Sequence, residues 1–269
     1  MNKFQYKEKD YAEEILKSGF TSKYIATELK ILAKYYKQQG KDETEIKELL
    51  ETFCGKNLTG YNKAIHFKII NNAVNQCIND KNKLIQIDKI DITKNELKVI
   101  DSMNISHDYK RVVFTLLVLT KLGKQFLKIR DGEIKNSEYY FGGHKNYREL
   151  VTVSKIIFNK TKKSTVKNIH DLIHMLNEQG IVEITNNANI RLSFMYGIEQ
   201  DQNIEFSVID YSVIGLYYDL YHGENRVKEC QNCNVPIKIN GKYKKYCNIC
   251  ADTINKQKTL DNYYKKRNF

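Results

Sequence analysis

Cys230, Cys233, Cys247 and Cys250 stand as C-x2-C-x13-C-x2-C late in this chain, and no other feature limits its folding as tightly. Each pair places two soft sulfurs on one tight turn. Four thiolates suit a closed tetrahedral site for one structural Zn2+, with no open position for catalysis. Between the pairs, Val235 to Tyr246 reads as a ribbon in which Ile237 and Ile239 alternate toward Asn240-Gly241, a dipeptide suited to a tight hairpin turn. Ala251 to Lys266 has no Pro or Gly and carries Ile254, Leu260 and Tyr264 among charges, the pattern of a helix. The other readings of the four thiols are two redox pairs or a coincidence of spacing.

A knuckle, a hairpin and a helix whose first turn carries the last two ligands describe a treble clef better than a two-knuckle ribbon. HNH-type nucleases can be built on a similar element with flanking C-x2-C pairs, but Val235 to Tyr246 contains no histidine and no carboxylate for a catalytic metal. A Walker A loop, a dinucleotide fingerprint and a nucleophile elbow are also missing, so the chain reads as a non-enzyme. Cys54 and Cys77, outside the cluster, read as buried helical thiols.

Net charge is +12 over 269 residues, which suggests a polyanionic partner. Because lysine far outnumbers arginine, as an AT-rich coding sequence would produce, distribution is the better guide. Asn225 to Phe269 holds 11 Lys or Arg against 3 acids, whereas Asp201 to Glu224 holds five acids and no Lys or Arg. The basic excess therefore lies with the cysteine module. The longest apolar stretch, Val112 to Leu119, is too short to cross a bilayer, and Met1 to Asp10 is charged rather than leader-like. A cytoplasmic protein with no membrane partner is expected.

Residues 1–82 read as a helical N-terminal region, 83–222 as a middle domain and 223–269 as the four-cysteine zinc module with a basic tail helix. In the first, Ile25, Leu29, Leu32 and Tyr36 share a face, as do Ile46, Leu49, Leu50 and Phe53, and Ile65, Ile69, Ile70, Ala73 and Cys77 follow at helical spacing. Asp42 with Glu45, and Thr93 with Glu96, are capping boxes. Leu84 to Ile92 is β-like. In the middle region, helices are expected at Val112–Leu119, Tyr147–Ile157 and Ser164–Gln179, the last closed by Gly180. Ile181 to Ile184 and Ile190 to Phe194 then form a hairpin about an Asn-rich turn.

Three helices followed by a β-wing resemble a winged helix-turn-helix. That resemblance implies that the third helix enters a major groove, with Lys163, Lys167, His170, Asp171 and His174 on its exposed face. Asn168 would read base edges, Lys160 and Lys162 would hold phosphates, and Arg191 would belong to the wing. The alternative is a packing module with solvated lysines. His170 and His174 have metal-ligand spacing but nothing to complete a site. The aromatic stretch Tyr139 to His144 suits either base stacking or the core.

Lys245-Tyr-Cys-Asn-Ile-Cys-Ala251 with its basic helix, Tyr140-Phe-Gly-Gly143, and Leu29 to Tyr36 together resemble zinc-ribbon proteins of phages and mobile elements of low-GC Gram-positive bacteria. The resemblance implies a nucleic-acid transaction and supplies no catalytic residues. The expectation is a mainly α-helical, non-enzymatic DNA-binding protein in regulation or replication of such an element. Phosphate contacts are expected from Lys256, Lys258, Lys265, Lys266 and Arg267. An RNA-binding protein and a zinc-scaffolded adaptor for a protein partner are the alternatives, the adaptor docking through Asp201 to Glu224.

Overall fold

The computed structural model describes residues 6–79, 82–132, 140–142, 146–158, 165–185, 189–195, 203–239 and 244–267, the side chains of 140 and 264–267 excepted. The chain is mainly α-helical, with short antiparallel strand pairs. It divides into two compact units, Asn2–Asp88 with Leu122–Ser137, and Lys89–Lys121 with Glu138–Phe269.

The first unit contains α1 (Glu8–Ser18), α2 (Ile25–Gln38), α3 (Glu43–Asn57) and α4 (Lys63–Ile78). Two orphan amides at the start of α3 are satisfied reciprocally, Glu45 N–H donating to Asp42 Oδ1 (2.9 Å) and Asp42 N–H to Glu45 Oε2 (3.0 Å). Asn62 caps α4 by accepting from Ala64 N–H at 2.9 Å. Ile15, Leu29, Leu32, Ile46, Leu50 and Ile70 build the core, which Cys54 and Cys77 join. Burial, then the nearby Glu51 carboxylate, pushes the Cys54 thiol up to about 11, as an inert core thiol requires. Ile65 and Ile69, expected to face inward, are exposed instead, and the inward stripe of α4 is Ile70, Ala73, Val74 and Cys77. Glu28 is buried, with its carboxylate taking hydrogen bonds from the Tyr11 hydroxyl, the Thr21 amide and the Thr21 hydroxyl.

The second unit opens with β1 (Ile90–Thr93) and α5 (Lys94–Ser102). Thr93 and Glu96 form the second capping box, and Glu96 also takes the Lys121 ammonium at 2.7 and 3.0 Å. Then comes α6 (His107–Asp131), far longer than the expected Val112–Leu119. Val112, Val113, Phe114, Leu116, Leu117 and Val118 are fully buried. The helix runs on through Gly123 and contributes from Leu122 onward to the first unit. Glycine costs a helix interior only about 1 kcal/mol, and tertiary packing overrides it here.

After α6 follow β2 (Tyr140–Phe141), α7 (Tyr147–Ser154), α8 (Ile169–Glu178), β3 (Val182–Ile184) and β4 (Ile190–Leu192). The sheet order is β2-β4-β3, all antiparallel, with Val182 opposite Leu192 and Ile184 opposite Ile190. Helix, strand, two helices and a hairpin whose second strand takes the centre of the sheet make the middle region winged-helix-like. Gly180, at φ +69°, ends α8 by letting Ile181 N–H reach the Leu176 carbonyl and its own N–H the Asn177 carbonyl, a Schellman closure.

The unit is completed by β5 (Ile204–Val208), which pairs with β1, and by α9 (Ile214–Tyr221), β6 (Val227–Glu229), β7 (Pro236–Lys238) and α10 (Asn248–Arg267). The winged-helix-like elements and the cysteine module share this unit, in which α9 packs on both α7 and the β6–β7 pair. The α7–α9 approach is closest at Gly215. A Cβ there would lie 2.2 Å from the Ser154 carbonyl oxygen, a backbone atom that cannot step aside. Gly215→Ala is therefore expected to destabilise this unit by about 1–3 kcal/mol or more through overpacking. Urea unfolding followed by circular dichroism reads this, and an unchanged midpoint would refute the close approach.

Candidate functional site

The first cysteine pair lies on the turn of the β6–β7 hairpin, in which Glu229 sits opposite Pro236 and Val227 opposite Lys238. The expected hairpin between the pairs, about Asn240-Gly241, falls partly outside the described residues. The strand holding Ile237 pairs backwards across the knuckle, with Ile239 N–H donating to the Arg226 carbonyl at 2.7 Å. Asn234 closes the knuckle at φ +57°, a conformation asparagine tolerates, and donates its N–H to the Cys230 carbonyl (3.0 Å). Cys247 immediately precedes α10 and Cys250 lies in its first turn, as the spacing predicts.

The four sulfurs lie within 4.8 Å of one another and could together hold a metal ion. Cys230 and Cys250 are buried, and Cys233 and Cys247 half-buried. Backbone amides aim at them, Cys247 N–H at Cys230 Sγ (3.3 Å) and Cys250 N–H at Cys247 Sγ (3.4 Å), while Asn232 Nδ2 donates to Cys250 Sγ (3.3 Å). Burial alone would raise the Cys230 thiol, but amides of Cys247, Asn232 and Cys233 outweigh it and bring this group down to about 6. Burial and the neighbouring thiols push Cys233 up to about 12, and burial raises Cys247 as well. One sulfur is thus readied as thiolate while its neighbours resist further negative charge. A central dication would remove that resistance and let the ligand thiols release their protons. Among the described residues this is the one grouping of His, Cys, Asp or Glu with metal-binding geometry.

The residues expected to meet nucleic acid are placed less uniformly. Lys160, Lys162 and Lys163 lie outside the described residues, as do the side chains of Lys265, Lys266 and Arg267. α8 begins at Ile169 instead of Ser164 because Asn168 takes the cap, its Oδ1 accepting from His170 N–H (2.8 Å) and Asp171 N–H (3.1 Å). Asp171 answers by accepting from Asn168 Nδ2 (2.9 Å) and from Lys167 N–H (2.8 Å). Both ends of the Asn168 amide are committed, so the base-reading role expected of it would cost α8 its cap. Lys167 is exposed on the segment before the helix, and α8 itself carries no Lys or Arg. His174 faces Glu178 at 3.5 Å and His170 lies against the Tyr147 ring. Arg191 sits opposite Glu183 in the wing and pairs with it at 2.7 Å. Phe141 of the aromatic stretch is buried in the core.

On α10, Lys256 and Lys258 are exposed, and from Asn255 to Tyr263 every residue is exposed. Leu260 and Tyr263 are half accessible, so from Asn255 to Tyr263 the helix has no packed face.

The sequence reading missed a polar network joining α5, α6 and α9. Asp219, 7% exposed at its side chain, receives Arg111 Nη1 at both oxygens (3.0 Å each) and faces His107 Nε2 (3.0 Å). Beside it, Asp101 Oδ1 accepts from the Tyr218 hydroxyl (2.6 Å) and faces His222 Nε2 (3.1 Å). Burial, reinforced by Asp101, pushes the Tyr218 phenol strongly upward and keeps it a donor.

No family model, curated protein or solved structure matches this chain. No helix among the described residues is long and apolar enough to cross a membrane.

Proposed function

We propose that this chain is a non-enzymatic nucleic-acid-binding protein whose ligand is duplex DNA, that one structural zinc ion holds its cysteine module, and that it acts in regulation or replication of a phage or mobile element. The all-thiolate ligand set suits zinc. A tetrahedron with metal–sulfur bonds of about 2.3 Å has edges of about 3.8 Å, and Cys233 Sγ lies 3.8 Å from Cys247 Sγ.

The observation carrying the DNA reading is α10, a 20-residue helix that leaves the cysteine cluster and is exposed at every residue from Asn255 to Tyr263, in the most basic segment of the chain. Among the described residues Lys256 and Lys258 have no ion-pair partner, so their charge is available to phosphate. On this reading α10 supplies salt-sensitive affinity. The winged-helix-like elements, with Lys167 at their exposed edge, supply what sequence preference there is.

Binding of the full chain to duplexes across a salt series tests this. Neutralising Lys265, Lys266 and Arg267 is expected to weaken all duplexes alike and to lower the log–log salt slope by up to about 3 units. An unchanged affinity would instead favour the protein-adaptor reading, and tighter binding to single-stranded RNA than to duplex DNA would favour the RNA one.

A further inference from the structure

The acidic, aromatic segment ahead of the cysteine module builds a pocket of about 370 Å³ between β5, α9 and the cysteine knuckle. Its walls are rings. Phe206 and Tyr217 lie nearly parallel (10°, centroids 6.4 Å apart), and Tyr221 tilts by 39° at 5.6 Å from Phe206. The Tyr217 hydroxyl accepts the amides of Ile209 (3.2 Å) and Asp210 (3.1 Å), which fixes its ring, whereas Tyr221 is 40% exposed and offers a face.

The polar lining is acidic. Glu205 and Glu229 both line the pocket, and among the described residues no Lys or Arg does. The nearest cation to Glu205 is Lys94 at 4.0 Å, the outer limit of an ion pair, and Glu229 has no ion-pair partner among the described residues. Burial, then the Glu205 and Asp101 carboxylates, pushes the Tyr221 phenol up, so negative potential reaches the ring itself. Ring faces and carboxylates converging at one cleft attract cations, and a half-desolvated setting strengthens the attraction. The chain as a whole carries +12, whereas the carboxylates lining this concavity make it acidic.

We propose that this pocket docks an arginine side chain presented by a partner protein. A planar guanidinium stacks on an aromatic face and forks onto a carboxylate, which a compact ammonium cannot do, and the arginine stem suits the apolar floor at Leu220. Glu229 and Asn234 bring the knuckle into the wall, so the cysteine module shapes the pocket.

The test is nuclear magnetic resonance of the full zinc-loaded chain labelled at Tyr and Phe, titrated with an acetyl-Gly-Arg-Gly-amide probe and its citrulline counterpart. Saturable shifts at Phe206, Tyr217 and Tyr221 are expected with arginine, and citrulline is expected to bind at least about tenfold more weakly. Glu229→Gln and Tyr221→Ala should each weaken arginine binding by about tenfold, with zinc content and circular dichroism unchanged. Equal response to citrulline, no saturable shift, or full binding by a Glu205→Gln/Glu229→Gln double variant would overturn the proposal. Self-association lost in Tyr221→Ala, without peptide binding, would overturn it in favour of a second copy as occupant.

Discussion

Cys247→Ser, or exhaustive chelation, is expected to remove the bound zinc and unfold residues 223–269 while α1 to α4 keep their structure. Metal binding and local folding are one event at a site of this kind, with an apparent stabilisation of about 10–16 kcal/mol for small thiolate domains. The module's strands β6 and β7 are three residues each and its own buried cluster is small, Cys230, Ile237 and Cys250, with α9 as its packing neighbour. The helices of the other unit bury their own faces around Leu29, Leu32 and Leu50. Metal analysis of the purified chain and its amide spectrum, with and without chelator, read both halves of the expectation. Undiminished zinc in both Cys247→Ser and Cys230→Ser, or a metal-free module that stays folded, would defeat it.

Asp219→Ala is expected to destabilise the unit containing α9 by about 3–5 kcal/mol. The substitution leaves the Arg111 guanidinium, 12% exposed at its side chain, without the carboxylate that holds it at both oxygens. A control separates this from surface electrostatics. Asp108 also pairs with Arg111, at 2.7 Å, but its side chain is 58% exposed, so Asp108→Ala should cost no more than about 1 kcal/mol. Denaturant unfolding of the two variants side by side measures the difference, and equal costs would show that the Asp219 pair is solvated.

Features determined by neighbouring residues could be read from the sequence. The cysteine spacing, the boxes at Asp42–Glu45 and Thr93–Glu96, the β3–β4 hairpin and the Gly180 stop each need only a few consecutive side chains and the backbone groups they satisfy. The start of α8 was misread because Ser164 and Asn168 are both good caps, and only the reciprocal bond from Asp171 selects the second. The length of α6 was misread because Gly123 and the lysines beyond Leu119 interrupt its apolar run. Longer-range features had no local signal. Asp219 meets His107 and Arg111 across more than a hundred residues.

The position of Cys247 and Cys250 at the root of α10 has a consequence for helix cooperativity. Starting a helix is the costly step, since the first turn fixes several residues for a single hydrogen bond, and isolated helices of this length are marginal in water. Here Ala251 N–H donates to the Cys247 carbonyl at 2.9 Å, and both cysteines belong to the sulfur cluster, so ligation would fix the first turn. A metal held there would serve as the nucleus from which the remaining turns propagate. At about 1.5 Å per residue the far end lies some 30 Å away. Coordination chemistry at the base of α10 would then set helical order as far as its other end.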